Sequence, residues 1–307
     1  MVWKKGMLLV SIFMFIVIFS FSSNITVGFI ATNLSAEAQA RVAESFDKLA
    51  KDKGWKTVIL NSQGYYETQA NQLENLVQMK VDAIIMAMAH PLEVKPSLDK
   101  AIKAGIPIIT IDSGYVDGVV ADITADNFVI GAKMSTYLVD SLGGQGNIIV
   151  IKFEPHHGTR KRGKVLDAVL SEYPQINVLA EYTLTVGANF VENTRSAMET
   201  YSLKYGKQID GVWCAFDQLA YAVSDVLQEY GLNDVIVVSA DGNQETFRRI
   251  NEKSMTATVA QPFEEMASKA ISLVEDIVVK GMSIEQAAPR KIIYLDAPLV
   301  DYYSLPQ

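Results

Sequence analysis

Cysteine is almost absent: Cys214 is the only one in 307 residues. A single thiol excludes an intramolecular disulfide framework and any zinc or iron–sulfur site built from several cysteines. Histidine is nearly as scarce, represented by His90, His156 and His157. Basic residues fall short of acidic ones, 27 against 35, leaving a net charge of −8. That balance argues against a nucleic-acid partner, since affinity for phosphate backbones needs clustered Lys and Arg. The sequence contains no G-x-S-x-G elbow, no Walker loop and no H-E-x-x-H. Its one Gly-rich stretch, Gly143-Gly144-Gln145-Gly146, follows a helical segment and precedes a strand-like one. A phosphate-cradling loop needs the reverse order, so this stretch reads as a turn. His156 and His157 adjoin one another after a strand, and neighbouring imidazoles rarely converge on one ion without a further fixed ligand. They are expected in a solvated loop. No cofactor, metal or catalytic residue is expected.

What the chain does have is apolar material, 49% hydrophobic against 20% charged residues, enough for a folded core in each of about two domains. The start is a separate object. Lys4 and Lys5 precede an apolar run from Met7 to Phe19, and small residues Ser20, Ser22 and Ser23 follow. A basic start, a short apolar run and a small-x-small boundary make a secretory signal peptide, expected over residues 1–23 with cleavage near Ser22. An uncleaved N-terminal anchor is the alternative. No cysteine lies near the boundary, which excludes a lipid-anchored form. Without Lys4 and Lys5 the exported body has 25 basic against 35 acidic residues, a net of −10. A lone thiol in a buried strand is safe in the oxidising compartment that export implies.

The body repeats one pattern, in which short β-branched runs alternate with longer stretches of helical period. That is the signature of βαβ units and a parallel sheet. Strands are expected at Ile25–Ala31, Thr57–Asn61, Ala83–Ala87, Pro107–Asp112 and Val119–Thr124. A second series falls at Asn147–Phe153, Val178–Thr183, Gly211–Ala215, Val235–Ala240 and Met255–Ala260. Runs such as VDAIIMAMA and DVIVVSAD are nearly continuous, as in strands buried on both faces. Over Ser35–Lys53, Ala38, Val42, Phe46 and Leu49 form the apolar stripe of a helix, with Ser35 placed to cap it and Gly54 to stop it.

The two halves echo each other. IITIDSG (Ile108–Gly114) and VVSADG (Val237–Gly242) each put an Asp at the carboxyl end of an apolar strand, before a Gly-containing turn. Ligands of open α/β sheets bind beyond those strand ends, so two such lobes suggest a cleft between them. Alternatively, each Asp merely caps a turn.

From Ile25 to about Val300 the chain resembles the periplasmic sugar-binding proteins of the ribose-binding type. The stretches that carry the resemblance are GWKTVILNSQGYYETQANQLENLVQMKVDAIIM, AGIPIITIDS and ITADNFVIGAKM in the first half. GTRKRGKVLDAV, VVSADGNQE and TATVAQPFEEMASKA carry it in the second. The resemblance implies an α/β protein of two Rossmann-like lobes with parallel sheets joined by a hinge, the type I periplasmic binding protein fold. The lobes would be 24–125 plus 262–288 and 126–261 plus 289–307, with crossings near Asn127, Gln261 and Pro289. It implies that Asp112, Asp241 and Gln261 hold sugar hydroxyls, and that the first Arg of the R-x-R-G motif, Arg160, enters the cleft while Lys161 and Arg162 stay at the surface.

Departures from the family pattern are as informative. Where ribose binders carry Pro-Phe-Phe, this chain has Glu37, Ala38 and Gln39; Ser113 replaces an Arg, and a stacking Phe falls near Val186. Phe216 replaces an Asn, either as a stacking platform or as a space filler. Ribose is therefore a poor fit. The expected ligand-binding set is Asn33, Asp112, Arg160, Phe216, Asp241 and Gln261. The resemblance implies a monomer that delivers a small polar ligand, most simply a sugar, to an ABC transporter permease; presentation to a chemoreceptor or sensor kinase is the alternative.

Overall fold

The computed structural model describes residues 25–185 and 189–305, so the expected signal peptide and Val186 lie outside the described residues. The first lobe runs β1 (Thr26–Ala31), α1 (Glu37–Asp52), β2 (Lys56–Asn61), α2 (Tyr66–Gln78), β3 (Ala83–Ala87), α3 (Lys95–Lys103), β4 (Ile108–Ile111) and β5 (Asp122–Ala125). The chain then enters the second lobe. There it forms α4 (Asn127–Ser141), β6 (Gly146–Phe153), α5 (His157–Ser171), β7 (Ile176–Leu184), α6 (Phe190–Tyr205), β8 (Gly211–Cys214), α7 (Asp217–Glu229), β9 (Ile236–Asp241), α8 (Gln244–Asn251) and β10 (Ala257–Ala260). After Gln261 it returns for α9 (Phe263–Val274), α10 (Ile284–Ala287) and β11 (Ile292–Leu295), and ends with β12 (Leu299–Asp301).

The sheets have orders β11-β5-β4-β3-β1-β2 and β12-β10-β9-β8-β6-β7. Every pairing is parallel except β10 with β12. Strands β3, β4 and β8 are buried at every residue, as their unbroken apolar runs require when helices cover both faces. Helix α1 buries Ala38, Val42, Phe46 and Ala50, and the Phe46 ring meets Phe29 of β1 at 5.0 Å. Its N-cap is Ala36, without a side-chain cap, and Ser35 instead donates its hydroxyl to Asn33. The first free N–H of the helix, that of Glu37, is satisfied by Gln218 Oε1 of the other lobe at 2.8 Å.

The expected lobe boundary at Pro289 is corrected. β11 pairs in parallel register with β5, Ile292 opposite Asp122, so the first lobe reaches Leu295 and the third crossing lies between Leu295 and Leu299. Both terminal strands sit at sheet edges, and the residues of β11 alternate between exposed and half-buried. Such strands lack the continuous apolar run that marks the others.

Helices α4 and α5 pack at glycine distance. A Cβ at Gly131 would lie 2.7 Å from the Arg162 Cα and 2.9 Å from its carbonyl oxygen, backbone atoms that cannot rotate away. Gly131→Ala should therefore force the helices apart and cost about 1–3 kcal/mol, outweighing the roughly 1 kcal/mol that alanine adds in helix propensity. The midpoint of thermal unfolding measures it; an unchanged or raised midpoint would show that the helices can yield.

Candidate functional site

The carboxyl ends of both sheets face each other across a cleft lined from both lobes. Asp112, just past β4, supplies its first-lobe floor. The residue is 1% exposed, and its φ of 44° lies in the left-handed region that Asp tolerates better than most side chains. Its Oδ1 accepts from the Thr124 hydroxyl and from Asn127 Nδ2, both at 2.8 Å. Burial opposes ionisation here, but the Arg162 guanidinium and the Thr124 hydroxyl favour it, and the carboxyl lies below its ordinary value.

Opposite stands Asp241 at the end of β9, also buried. The turn after it needs glycine: a Cβ on Gly242, at φ 67°, would come within 2.4 Å of the Ala260 Cβ. Asp241 Oδ1 accepts from Gln261 Nε2 at 3.0 Å and lies 3.8 Å from Arg162. Burial pushes its carboxyl up to about 7 against the pull of Arg162, so near neutral pH it can both donate and accept. Gln261 Oε1 is buried without a hydrogen-bond partner.

The expected role of Arg160 is corrected. Arg160 turns back onto its own loop and donates to the Glu154 carbonyl at 2.5 Å, and it does not line the cleft. Arg162 does. It is 2% exposed, donates from Nε to Asn127 Oδ1 and from Nη1 to the Ala215 carbonyl, each at 2.8 Å, and lies 3.8 Å from the Asp241 carboxylate. The pattern was legible: Thr159, Arg162 and Leu166 share the buried face of α5 at spacings of three and four.

The histidines are corrected as well. His156 lines the cleft and His157 lies beside it, both half-buried rather than solvated, their rings 4.6 Å apart, with His156 Nε2 2.7 Å from the Asp112 carbonyl oxygen. Burial pushes the His156 imidazole down to about 3, and it lowers His157 and His90 too. A carboxylate oxygen of Asp112 and one nitrogen of each of His156 and His157 lie within 4.8 Å of one another. A sequence signal existed for these residues, since they follow the carboxyl end of β6.

Phe216 lines the cleft and packs edge-on against Phe153 at 5.2 Å and Phe190 at 5.4 Å. Asp217 beside it anchors this corner, accepting from Ser239, Thr246, Thr258 and the Asn243 N–H at 2.5–2.9 Å. Asn33 also lines the cleft, its Oδ1 occupied by Ser35. Ala38 and Gln39 line it where the ribose pattern has rings.

Beneath Asp112, buried Asp122 accepts from the Ser113 N–H at 3.2 Å, and burial pushes its carboxyl up from 3.8 to about 6. The folded state thus holds this proton more tightly than the unfolded one, and stability drains away as pH rises from about 4 through about 6. Asp122→Asn, which cannot ionise, should gain on the parent across that interval by up to about 3 kcal/mol. Denaturant titrations of both proteins at pH 4 and pH 7 measure the difference; a constant offset would place the Asp122 carboxyl at its ordinary value.

Comparison with known proteins agrees with this architecture. A family model described as a periplasmic binding protein domain matches residues 27–281. The chain is 28% identical over 246 residues to a xylitol-binding protein of Mycolicibacterium smegmatis, covering 79% of this chain and 69% of that one. It is 25% identical over 273 residues to the ribose import binding protein of Bacillus subtilis, covering 87% and 86%. A solved ABC sugar transporter subunit from Rhodobacter sphaeroides 2.4.1 superposes with a TM-score of 0.81 at 22% identity, covering 91% of this chain and 98% of that one. The two sheets with three crossings are thus the type I periplasmic binding protein fold, and this chain belongs to the periplasmic binding protein domain family.

Proposed function

We propose that this protein is the exported solute-binding component of an ABC importer and captures a small sugar or sugar alcohol between its lobes. What carries the reading is the convergence of Asp112, Arg162, Asp241 and the unpartnered Gln261 Oε1 on one cleft. Carboxylates accept from vicinal hydroxyls, a guanidinium donates in a fixed fork, and an amide does both. The edge-packed phenylalanines offer C–H-rich sugar faces an apolar wall. The relatives named for ribose import and xylitol binding fit this class of ligand, and they are binding proteins, not enzymes. The replacement of the ribose pattern's rings by Ala38 and Gln39 favours an open-chain or otherwise non-planar polyol over ribose. A sensory role finds no support among these relatives. The protein would act as a periplasmic monomer that offers its closed surface to the permease.

Lobe contacts such as Glu37 with Gln218 and Arg41 with the Asp241 and Gly242 carbonyls belong to the closed arrangement. Ligand-free protein should therefore be more extended, and binding should shift the population toward the compact form. Calorimetry against a panel of pentoses, hexoses and alditols, with small-angle scattering on each binder, tests both points. Micromolar or tighter binding of at least one, with a smaller radius of gyration, is expected. Failure of the whole panel, or binding at constant radius, would overturn the reading.

A further inference from the structure

We infer that the cleft also holds a divalent transition-metal ion of the Zn2+, Ni2+ or Cu2+ kind, bound by Asp112, His156 and His157. Two adjacent histidines alone make a poor site. Here the fold brings the carboxylate of Asp112 from the opposite lobe to meet them, with all three donor atoms within 4.8 Å of one another. Bonds of about 2.0–2.2 Å put three donors of a tetrahedral ion about 3.3–3.6 Å apart, so the cluster needs to tighten by up to about 1.5 Å. Two imidazole nitrogens and one carboxylate oxygen are a donor set suited to borderline ions rather than to Mg2+ or Ca2+.

The surroundings orient these donors as outer-shell partners do. Thr124 and Asn127 both occupy Oδ1 of Asp112, and no donor among the described residues reaches Oδ2. The His156 ring is fixed by its 2.7 Å contact with the Asp112 carbonyl. The opposing charges are Arg160, Lys161 and Arg162. Arg160 is turned onto Glu154, Lys161 lies over the Phe128 ring at 5.4 Å, and Arg162 is held by Asn127 and Ala215. Three protein donors leave coordination positions open toward the cleft, where water or a ligand hydroxyl completes the sphere.

Because Asp112 and the histidines stand on different lobes, the ion should bind the closed form and draw the lobes together without any organic ligand. The inference shares Asp112 with the sugar reading, and a metal titration without any organic ligand tests it separately. The test uses tag-free, chelator-stripped protein and the metal alone: calorimetry with ZnCl2 and NiCl2, the visible spectrum of the Co2+ form, and small-angle scattering. One equivalent bound at micromolar affinity, a Co2+ spectrum of low-symmetry intensity and a smaller radius are expected. His157→Gln and His156→Ala, each checked for an intact unfolding transition, should weaken binding at least tenfold. Should His156→Ala fail to fold, His157→Gln and Asp112→Asn decide. No binding below millimolar metal, or equal affinity in the folded variants, would overturn the assignment.

Discussion

Arg162→Ala should abolish ligand binding and cost about 3–5 kcal/mol of stability, whereas Arg160→Ala should cost about 1 kcal/mol or less. The two arginines stand two residues apart on one helix, yet they live in different media. Arg162 is buried among groups that all need its protons: Asn127 Oδ1 and the Ala215 carbonyl accept at 2.8 Å, and the Asp241 carboxyl lies 3.8 Å away. Truncation strands those acceptors without donors in a site that water reaches poorly. It also removes the cation that opposes burial at Asp241, so that carboxyl should rise above its present value of about 7. Arg160 loses only a bond to the Glu154 carbonyl at the partly exposed rim. Arg162→Lys is expected to fall close to Arg162→Ala in binding, because a single ammonium cannot serve Asn127 and Ala215 from one planar fork. Denaturant unfolding and calorimetry on the three variants separate the cases. An Arg162→Ala protein as stable as its parent, or ligand binding lost at Arg160 alone, would return the cleft role to Arg160.

That contrast shows what kind of information the sequence carries. Layers announce themselves: the apolar runs of β3, β4 and β8 and the stripe of α1 fall within a residue or two of expectation, because burial on both faces demands composition as well as pattern. Edges do not. β11 and β12 are four and three residues long, pair on one side only, and need no such run. The cleft is legible in the same uneven way. Asp112, Asp241 and Gln261 sit at strand ends, where topology alone directs side chains toward the other lobe. Arg162 and the histidines owe their position to the register of α5 against α4, set by the close approach at Gly131. Family pattern favoured Arg160, and helical register, which puts Arg162 beside Thr159 and Leu166, was the better guide. His156 and His157, at the cap and first residue of α5, carry only the signal of their place after β6, and their partial burial exists only once the two lobes meet.

Removing the charge of Asp112 should damage binding far more than folding, and the choice of substitution separates the two effects. Asp112→Asn keeps an acceptor for Thr124 and Asn127 and keeps a residue type that tolerates φ 44°. It replaces a charged carboxylate at the cleft with a neutral amide. Ligand hydroxyls then lose a charged acceptor in a buried setting, and affinity should fall by about 2–4 kcal/mol, or roughly 30- to 1000-fold. Stability should fall much less. The Thr124 hydroxyl already bonds the Ala125 carbonyl at 2.8 Å, and Asn127 Nδ2 reaches the same carbonyl at 3.4 Å, so neither donor is stranded. Asp112→Ala should match the loss of affinity and add about 1 kcal/mol of backbone strain, since alanine is disfavoured at positive φ. Asp241→Asn should be gentler near pH 7, because a carboxyl that titrates at about 7 is already half protonated there, and its deficit should widen toward pH 8.5 as the parent ionises fully. Calorimetric titrations of the three variants with the ligand identified from the panel, at pH 6 and pH 8.5, read all of this at once. If Asp112→Asn binds like the parent at both pH values, Asp112 serves only to brace its own turn through Thr124 and Asn127, and the first-lobe floor of the site must be sought elsewhere in the cleft.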